Sequence, residues 1–550
     1  MPTNSIEVIL KKEGPMLSSE LAKHLEALGL SPTAARKRVE RGCEGMTRLN
    51  HILFAHRARF VYLQADYGSS KFFDKLHDAL KKTNSTYYHA LMALEMRHHL
   101  MPRSHFLVAC GAPIAQKGHV SAENLTQRLI KATLIKEVSI AGMEPLIVRT
   151  DEETAVVSGL LLAEMRGRLL AEQIALFAVR DWARNLGLVS YNAVATREDP
   201  ERTTLPRVSS FHWDLSGPTY LYPMRTQGPD KVLPGFLVCD IALTGKVTAE
   251  EMSAFVKKCV TIRSLPKVGR CLQIFVAESY TKEALALLKG EGIIPASPES
   301  LFGRDVAKAL KQVCEILINT AKLVENPEAL DKIFKDLSRI EGAASTLRGS
   351  LFEFAVAQIA KWTFPGYEAE LNRIVRDAIG ASAEIDLLVT RRNSEVISIE
   401  CKGMHPLAFV DDEEVRKWLD QRIPVIRGYL KTNSELSKLP QRYEMWTSGK
   451  YSEAAIAMVQ QRQAQSQKYQ IFLRDSEYVL AQAKETNEQG LIKTYTQHFI
   501  THPMKEFEEM KKREERNAKK SAEHKAKTLA SQLLSNAGIP EVAPLSTQQA

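Results

Sequence analysis

Two distant stretches of the chain carry the same landmarks in the same order, and a duplication restricts a fold more than any single motif does. "MRGRLLAEQIALFAVRDWARNLGL" (165–188) resembles "LRGSLFEFAVAQIAKWTFPGY" (347–367): Arg-Gly, an apolar helix, then a glycine before a strand. Further on, "CLQIFVAESYTKEALALL" (271–288) resembles "KYQIFLRDSEYVLAQA" (468–483), a strand followed by a helix. Between these landmarks each copy has two apolar runs. They are "FHWDLSG" and "GFLVCDIAL" in the first, "EIDLLVT" and "VISIECKG" in the second. The pattern predicts two tandem α/β units of helix–strand–strand–helix–strand order.

The second copy places charge where burial is expected. Asp386 lies on one apolar run and Glu400-Cys401-Lys402 on the next. Strand side chains alternate, so Glu400 and Lys402 share a face and Cys401 points into the core. The polar tract Arg391-Arg392-Asn393-Ser394 reads as a hairpin connection that brings Asp386 beside Glu400. Burying such groups without a partner is costly. A structural ion pair between Lys402 and a carboxylate is the simplest alternative to a functional site.

This arrangement resembles the PD-(D/E)xK, or restriction-endonuclease-like, nuclease superfamily. Asp386, Glu400 and Lys402 match its pattern with thirteen residues between the two acids, and Glu353 in "RGSLFEFAVAQIA" matches its helical glutamate. Ile385 stands where the pattern often has proline. The resemblance implies a catalytic set of Glu353, Asp386, Glu400 and Lys402. It also implies that Asp386, Glu400 and the backbone carbonyl of Cys401 hold Mg²⁺ (or Mn²⁺), with Glu353 as a further metal ligand. Hard oxygen donors suit that ion. His405 could reach a phosphate, although a loop histidine without a role is the plainer reading. In the first copy Asp214 and Asp240 correspond to the strand acids, Ala242 takes the place of the lysine, and Ala171 falls opposite Glu353 with Glu172 one step away. That copy is expected to be inactive.

The N-terminal segment reads as a nucleic-acid binder. "LSSELAKHLEALG" (17–29) predicts a serine-capped helix ending at Gly29, and "LSPTAARKRVERG" (30–42) a second helix carrying Arg36, Lys37, Arg38 and Arg41. "HILFAHR" and "RFVYLQ" read as a short hairpin. The order resembles a winged helix-turn-helix, whose second helix enters the major groove of DNA. A related order recurs in 71–149, where "SAENLTQRLIKATLI" precedes "EVSIAGMEPLIVR".

A net charge of +9 favours an anionic partner. Seven scattered cysteines without a CxxC pair suit a reducing compartment better than a disulfide framework. The first residues lack the layout of a signal peptide and no apolar run spans a bilayer, so a cytoplasmic protein without membrane association is expected. No Walker A loop is present. The expected class is α/β multidomain: a winged helix at 1–70, a second winged-helix-like segment at 71–150, and a degenerate nuclease-like unit at 155–305. A helical linker at 306–345, the PD-(D/E)xK unit at 346–503 and a charged tail at 504–550 complete it. The function implied is a Mg²⁺-dependent DNA endonuclease or nickase of bacterial restriction or anti-phage defence, acting alone, as a homodimer or with a defence-system partner. The alternatives are a DNA-binding regulator or scaffold with vestigial nuclease folds, and a structure-specific or RNA-directed nuclease.

Overall fold

A computed structural model of the chain describes residues 5–150, 157, 159–199, 204–227, 232–265, 268–318, 337, 340, 343–391, 394–404, 408–466 and 468–500. His405, the tail beyond 500 and most of the 306–345 linker lie outside the described residues, although the linker begins in helix Arg304–Ile318. The chain is a mixed α/β protein, and among the described residues no helix is long and apolar enough to cross a membrane.

Residues 5–150 form two modules of one design. The first runs helix Ser5–Glu13, strand Met16–Leu17, helices Ser18–Ala27 and Pro32–Arg41, then strands Met46–Arg48 and Phe60–Leu63. Its last strand lies in the middle of a three-stranded sheet. The second module repeats this after an additional helix, Ser70–Lys82, with strands Leu100–Pro102, Ile135–Val138 and Leu146–Arg149, the last again central. Ser31 caps the basic helix by accepting from the Ala34 N–H, and Pro32 opens its first turn. Two details differ from expectation. Ser18 does not cap its own helix; its hydroxyl accepts from the Arg59 N–H and ties the helix to the sheet. "HILFAHR" is not a strand, because His51, His56 and Arg57 adopt positive φ and turn the chain. Met46–Arg48 takes the hairpin position, and Arg48 donates to the Val39 and Glu40 carbonyls at the end of the basic helix.

Residues 159–302 and 343–485 build two units with identical sheet topology. Each sheet has five strands in sequential order. The first three pair antiparallel and the last two add in parallel through crossover helices. In the first unit the strands are Ala195–Thr196, Leu215–Thr219, Gly235–Val247, Cys271–Tyr280 and Ile294–Ala296; in the second, Glu368–Arg376, Ser382–Arg391, Glu395–Lys402, Gln441–Thr447 and Gln470–Arg474. The duplication is therefore larger than the landmarks indicate, and one landmark pair is misaligned. Cys271–Tyr280 is a fourth strand and Gln470–Arg474 a fifth, so 271–288 and 468–483 are not equivalent. The opening strand Glu368–Arg376 carries no apolar run because it is an edge strand with mostly half-exposed or exposed side chains.

Each unit lays one long helix, Gly159–Asn185 or Ala343–Thr363, against its sheet. The two helices share a single core. Leu170, Ile174 and Val179 pack in the same cluster as Leu351, Phe352, Val356 and Ile359, with sheet residues Leu237, Ile241, Leu387 and Ile399 on either side. Burial of apolar surface in this shared core holds the two units together.

Candidate active site

The hairpin of the second unit sets the site. Leu387 pairs with Ile399, and the same antiparallel register carried one step further puts Asp386 opposite Glu400. Both acids are buried, and Asp386 Oδ2 accepts from the Cys401 N–H at 2.7 Å. Cys401 faces the shared core, where burial pushes its thiol well up and leaves it a packing residue rather than a nucleophile. Lys402 emerges on the acid side, 3.2 Å from Glu400 and 3.0 Å from Glu414. Glu353 points in from helix Ala343–Thr363 and lies 4.0 Å from the Arg166 guanidinium.

The structure therefore brings Glu353, Asp386, Glu400 and Lys402 into one cluster, and it adds groups that the sequence reading missed. Glu384 is fully buried beside Asp386. Its spacing of two residues on one strand is a visible signal that both side chains share a face. Arg166 donates to Glu384 at 2.5 Å. Arg422 donates to both oxygens of Glu400 and stands 4.0 Å from Asp386. Arg422 sits on a π-helical turn, Trp418–Arg422. Pro424 lacks the N–H that would close the regular helical bond to Asp420, and such turns are frequent at functional sites. The second N-terminal module holds Arg422 in place: the Gly142 carbonyl accepts from it at 3.2 Å, and the Ala141 N–H donates to Ser382 at the strand's start.

Three buried acids and the half-buried Glu353 thus face three cations. Burial, and after it the proximity of Asp386, lifts Glu353 and Glu400 above the usual carboxylate range. Burial likewise raises Asp386 and Glu384, against the pull of the nearby arginines. Burial is the largest single influence and would lower Lys402, but Glu400, Asp386 and Glu414 together raise it and keep the ammonium charged. A cluster short of positive charge favours a further cation. Among the described residues no three His, Cys, Asp or Glu side chains are placed to share one metal ion. Two carboxylates with waters and a substrate phosphate are nonetheless a sufficient donor set for Mg²⁺, so Asp386 and Glu400 fit that ion.

A cavity of about 410 Å³ reaches this cluster at Arg166 and Glu353, and Asp386, Glu400 and Lys402 do not line it. Pro102, His105 and Glu144 of the second module, Arg166 and Gln173 of the first unit, and Glu353 and Asn372 of the second unit line it.

The equivalent place in the first unit is built differently. Asp214 Oδ2 accepts from the Ile241 N–H at 2.8 Å, reproducing the Asp386–Cys401 bond. The Asp214 N–H donates to Asp240 at 3.1 Å. The unit does have a helical glutamate and a lysine, contrary to expectation, but both come from other positions. Glu172 takes the helical role, and Lys258, on helix Ser253–Arg263, pairs with Asp240 at 2.6 Å. Arg197 bridges Glu172 at 2.6 Å and Asp214 at 2.8 Å. Burial raises Asp214, but Arg197, Arg97 and the Ile241 N–H together hold the carboxyl below its usual range, whereas burial pushes Asp240 up to about 6. The second module then covers the cluster: Arg97 donates to the Ile241 carbonyl at 2.9 Å, and Lys258 to that of Val108 at 3.3 Å.

On the basic helix of the first module, Arg36, Lys37 and Arg41 are exposed and Arg38 is half-buried.

No protein-family model matches this chain, and no curated protein matches it in sequence. Two solved structures align with it. The restriction endonuclease FokI does so at 8% identity over 84% of this chain and 81% of that one, with a TM-score of 0.19. FokI bound to DNA does so at 12% identity over 57% and 69%, with a TM-score of 0.14. Likeness at these TM-scores carries no weight for fold or function.

Proposed function

We propose that the chain is a metal-dependent endonuclease of the PD-(D/E)xK kind that hydrolyses phosphodiester bonds in DNA. The juxtaposition of Asp386, Glu400 and Lys402 on one face of a paired hairpin carries this reading. The helical Glu353 and the adjoining cavity support it. Asp386 and Glu400 would hold Mg²⁺ or Mn²⁺, which when bound supplies charge neutralisation on the phosphate oxygens. Lys402, kept cationic by Glu400, Asp386 and Glu414 together, donates to the attacking water oxygen and stabilises the negative charge that develops there. Glu353 orients that water from the opposite wall. Glu414 fixes the lysine by accepting from it at 3.0 Å.

In the same reading the first N-terminal module is a winged helix that sets Arg36, Lys37 and Arg41 along a phosphate backbone. Phosphate contacts position a protein on DNA without specifying sequence. The function would be restriction or anti-phage defence.

The test is incubation of the purified chain with supercoiled plasmid and with structured RNA, in Mg²⁺, Mn²⁺ or EDTA. Cleavage of the plasmid that EDTA abolishes is the expected result. Intact plasmid beside degraded RNA would replace the DNA reading with an RNA-directed one.

A further inference from the structure

We propose that Arg166, carried by the long helix of the first unit, is a positioning residue of the second unit's active site. The proposal rests on the nuclease reading above and assigns the covered unit a part in that chemistry.

Arg166 crosses from one unit to the other. One end of its guanidinium donates to Glu384 at 2.5 Å, and Nη1 donates to the Asn372 side chain at 3.2 Å and lies 4.0 Å from Glu353. Asn372 falls between the ladder pairs Leu371–Leu387 and Arg373–Ile385, which places it across from Asp386. Its φ of 52° is left-handed, a conformation that asparagine tolerates better than most residues. A single forked cation therefore binds groups on three elements around Asp386: the helical glutamate, the neighbouring strand glutamate and the opposing edge strand. A buried ion pair with no further task has no stability advantage over apolar packing. Arg166 also keeps 26% of its side chain exposed and lines the cavity with Glu353 and Asn372.

The physical role follows from charge and shape. Glu384 is fully buried, its Oε1 has no hydrogen-bond partner, and its ion pair is with Arg166, so without Arg166 it would be a poorly compensated negative charge next to Asp386. Arg166 neutralises Glu384 and fixes the angle of Glu353, which leaves Asp386 and Glu400 to hold the catalytic cation. A planar fork can do both at once; a lysine, a point charge on a flexible stem, can do only the first.

The test uses the full chain and two readouts: Mn²⁺ binding by calorimetry, and single-turnover cleavage of a DNA that the parent cuts. Arg166→Gln removes a cation from the cluster, so Mn²⁺ should bind about 3–10-fold tighter, as expected when a like-charge repulsion at close range is removed. Cleavage should slow by about 10²-fold because Glu353 is misplaced. Arg166→Lys keeps the charge, so its Mn²⁺ affinity should match the parent while cleavage still falls. Parent-like cleavage by both variants would overturn the proposal. So would a joint fall of melting temperature, Mn²⁺ affinity and cleavage in Arg166→Gln that Arg166→Lys restores, since that is the signature of a purely structural ion pair. If the parent neither binds Mn²⁺ nor cleaves, the nuclease reading fails, and that result is visible before any variant is made.

Discussion

The two acid clusters start from the same backbone. In each, an aspartate on the second strand or immediately before it accepts the N–H of the residue that follows the acid on the third, at 2.8 Å in the first unit and 2.7 Å in the second. They diverge in what surrounds that bond. In the first unit the Arg197, Glu172 and Lys258 side chains are each 1% exposed, and the second N-terminal module donates and accepts across the cluster. In the second unit Lys402 keeps 23% exposure, Glu353 16% and Arg166 26%, and Glu353 and Arg166 line a cavity. Matched and covered charges have no capacity left for a ligand. Incompletely matched charges beside an opening do. One fold thus supports a sealed ion-pair core and a candidate catalytic centre, and the difference lies in where the cations come from.

The two clusters should differ most at their lysines. Lys402→Ala should lower plasmid cleavage by about 10²–10³-fold, the loss typical of one electrostatic interaction with a transition state, with DNA affinity unchanged. Lys258→Ala should leave the rate per folded molecule unchanged. Kinetics on both variants at equal folded concentration separate the two cases, and parent-like cleavage by Lys402→Ala would sink the assignment.

The next effect is on stability. Asp240→Asn leaves Lys258 buried without its partner, and breaking such a pair costs about 3–5 kcal/mol. Denaturant unfolding should show that loss, whereas Lys402→Ala, at a partly exposed position, should unfold nearly like the parent. Equal stability of Asp240→Asn and the parent would mean the first cluster is not sealed.

A smaller effect is expected where the second module grips Arg422. Gly142 has φ +84°, and a Cβ there would be driven into the Arg422 guanidinium. Gly142→Ala should destabilise by about 1–3 kcal/mol, in the range of backbone strain and overpacking, and should loosen Arg422 from Glu400. Melting curves check the first outcome, and a changed Mn²⁺ affinity checks the second.

The smallest effect concerns the first module. Neutralising Arg36, Lys37 and Arg41 should flatten the salt dependence of DNA binding by about 0.9 in log–log slope for each phosphate that the helix no longer neutralises. Unchanged affinity and slope would remove this helix from the interface.

Legibility in the sequence followed locality. Asp386, Glu400 and Lys402 could be placed together because strand alternation and a short polar turn determine their faces. Glu384 carried the same signal two residues from Asp386, and the rule that placed Glu400 beside Lys402 would have found it. Arg166, Arg422 and Lys258 had no such signal, since each comes from a distant helix and meets its acid only through tertiary packing. The same non-locality explains why the first unit looked emptied of partners when its lysine had moved to a neighbouring helix. The edge strand Glu368–Arg376 escaped because exposure removes the apolar pattern that marks a buried strand.

Under the proposed function, of two clusters built on one backbone bond only the second performs chemistry. Asp214→Asn and Asp386→Asn change the same atom in each, so plasmid cleavage by the two variants in Mg²⁺, at equal folded concentration, tests it most directly. Parent-like cleavage by Asp214→Asn with none by Asp386→Asn is the predicted result. Cleavage retained by Asp386→Asn, or abolished equally in both, would contradict it.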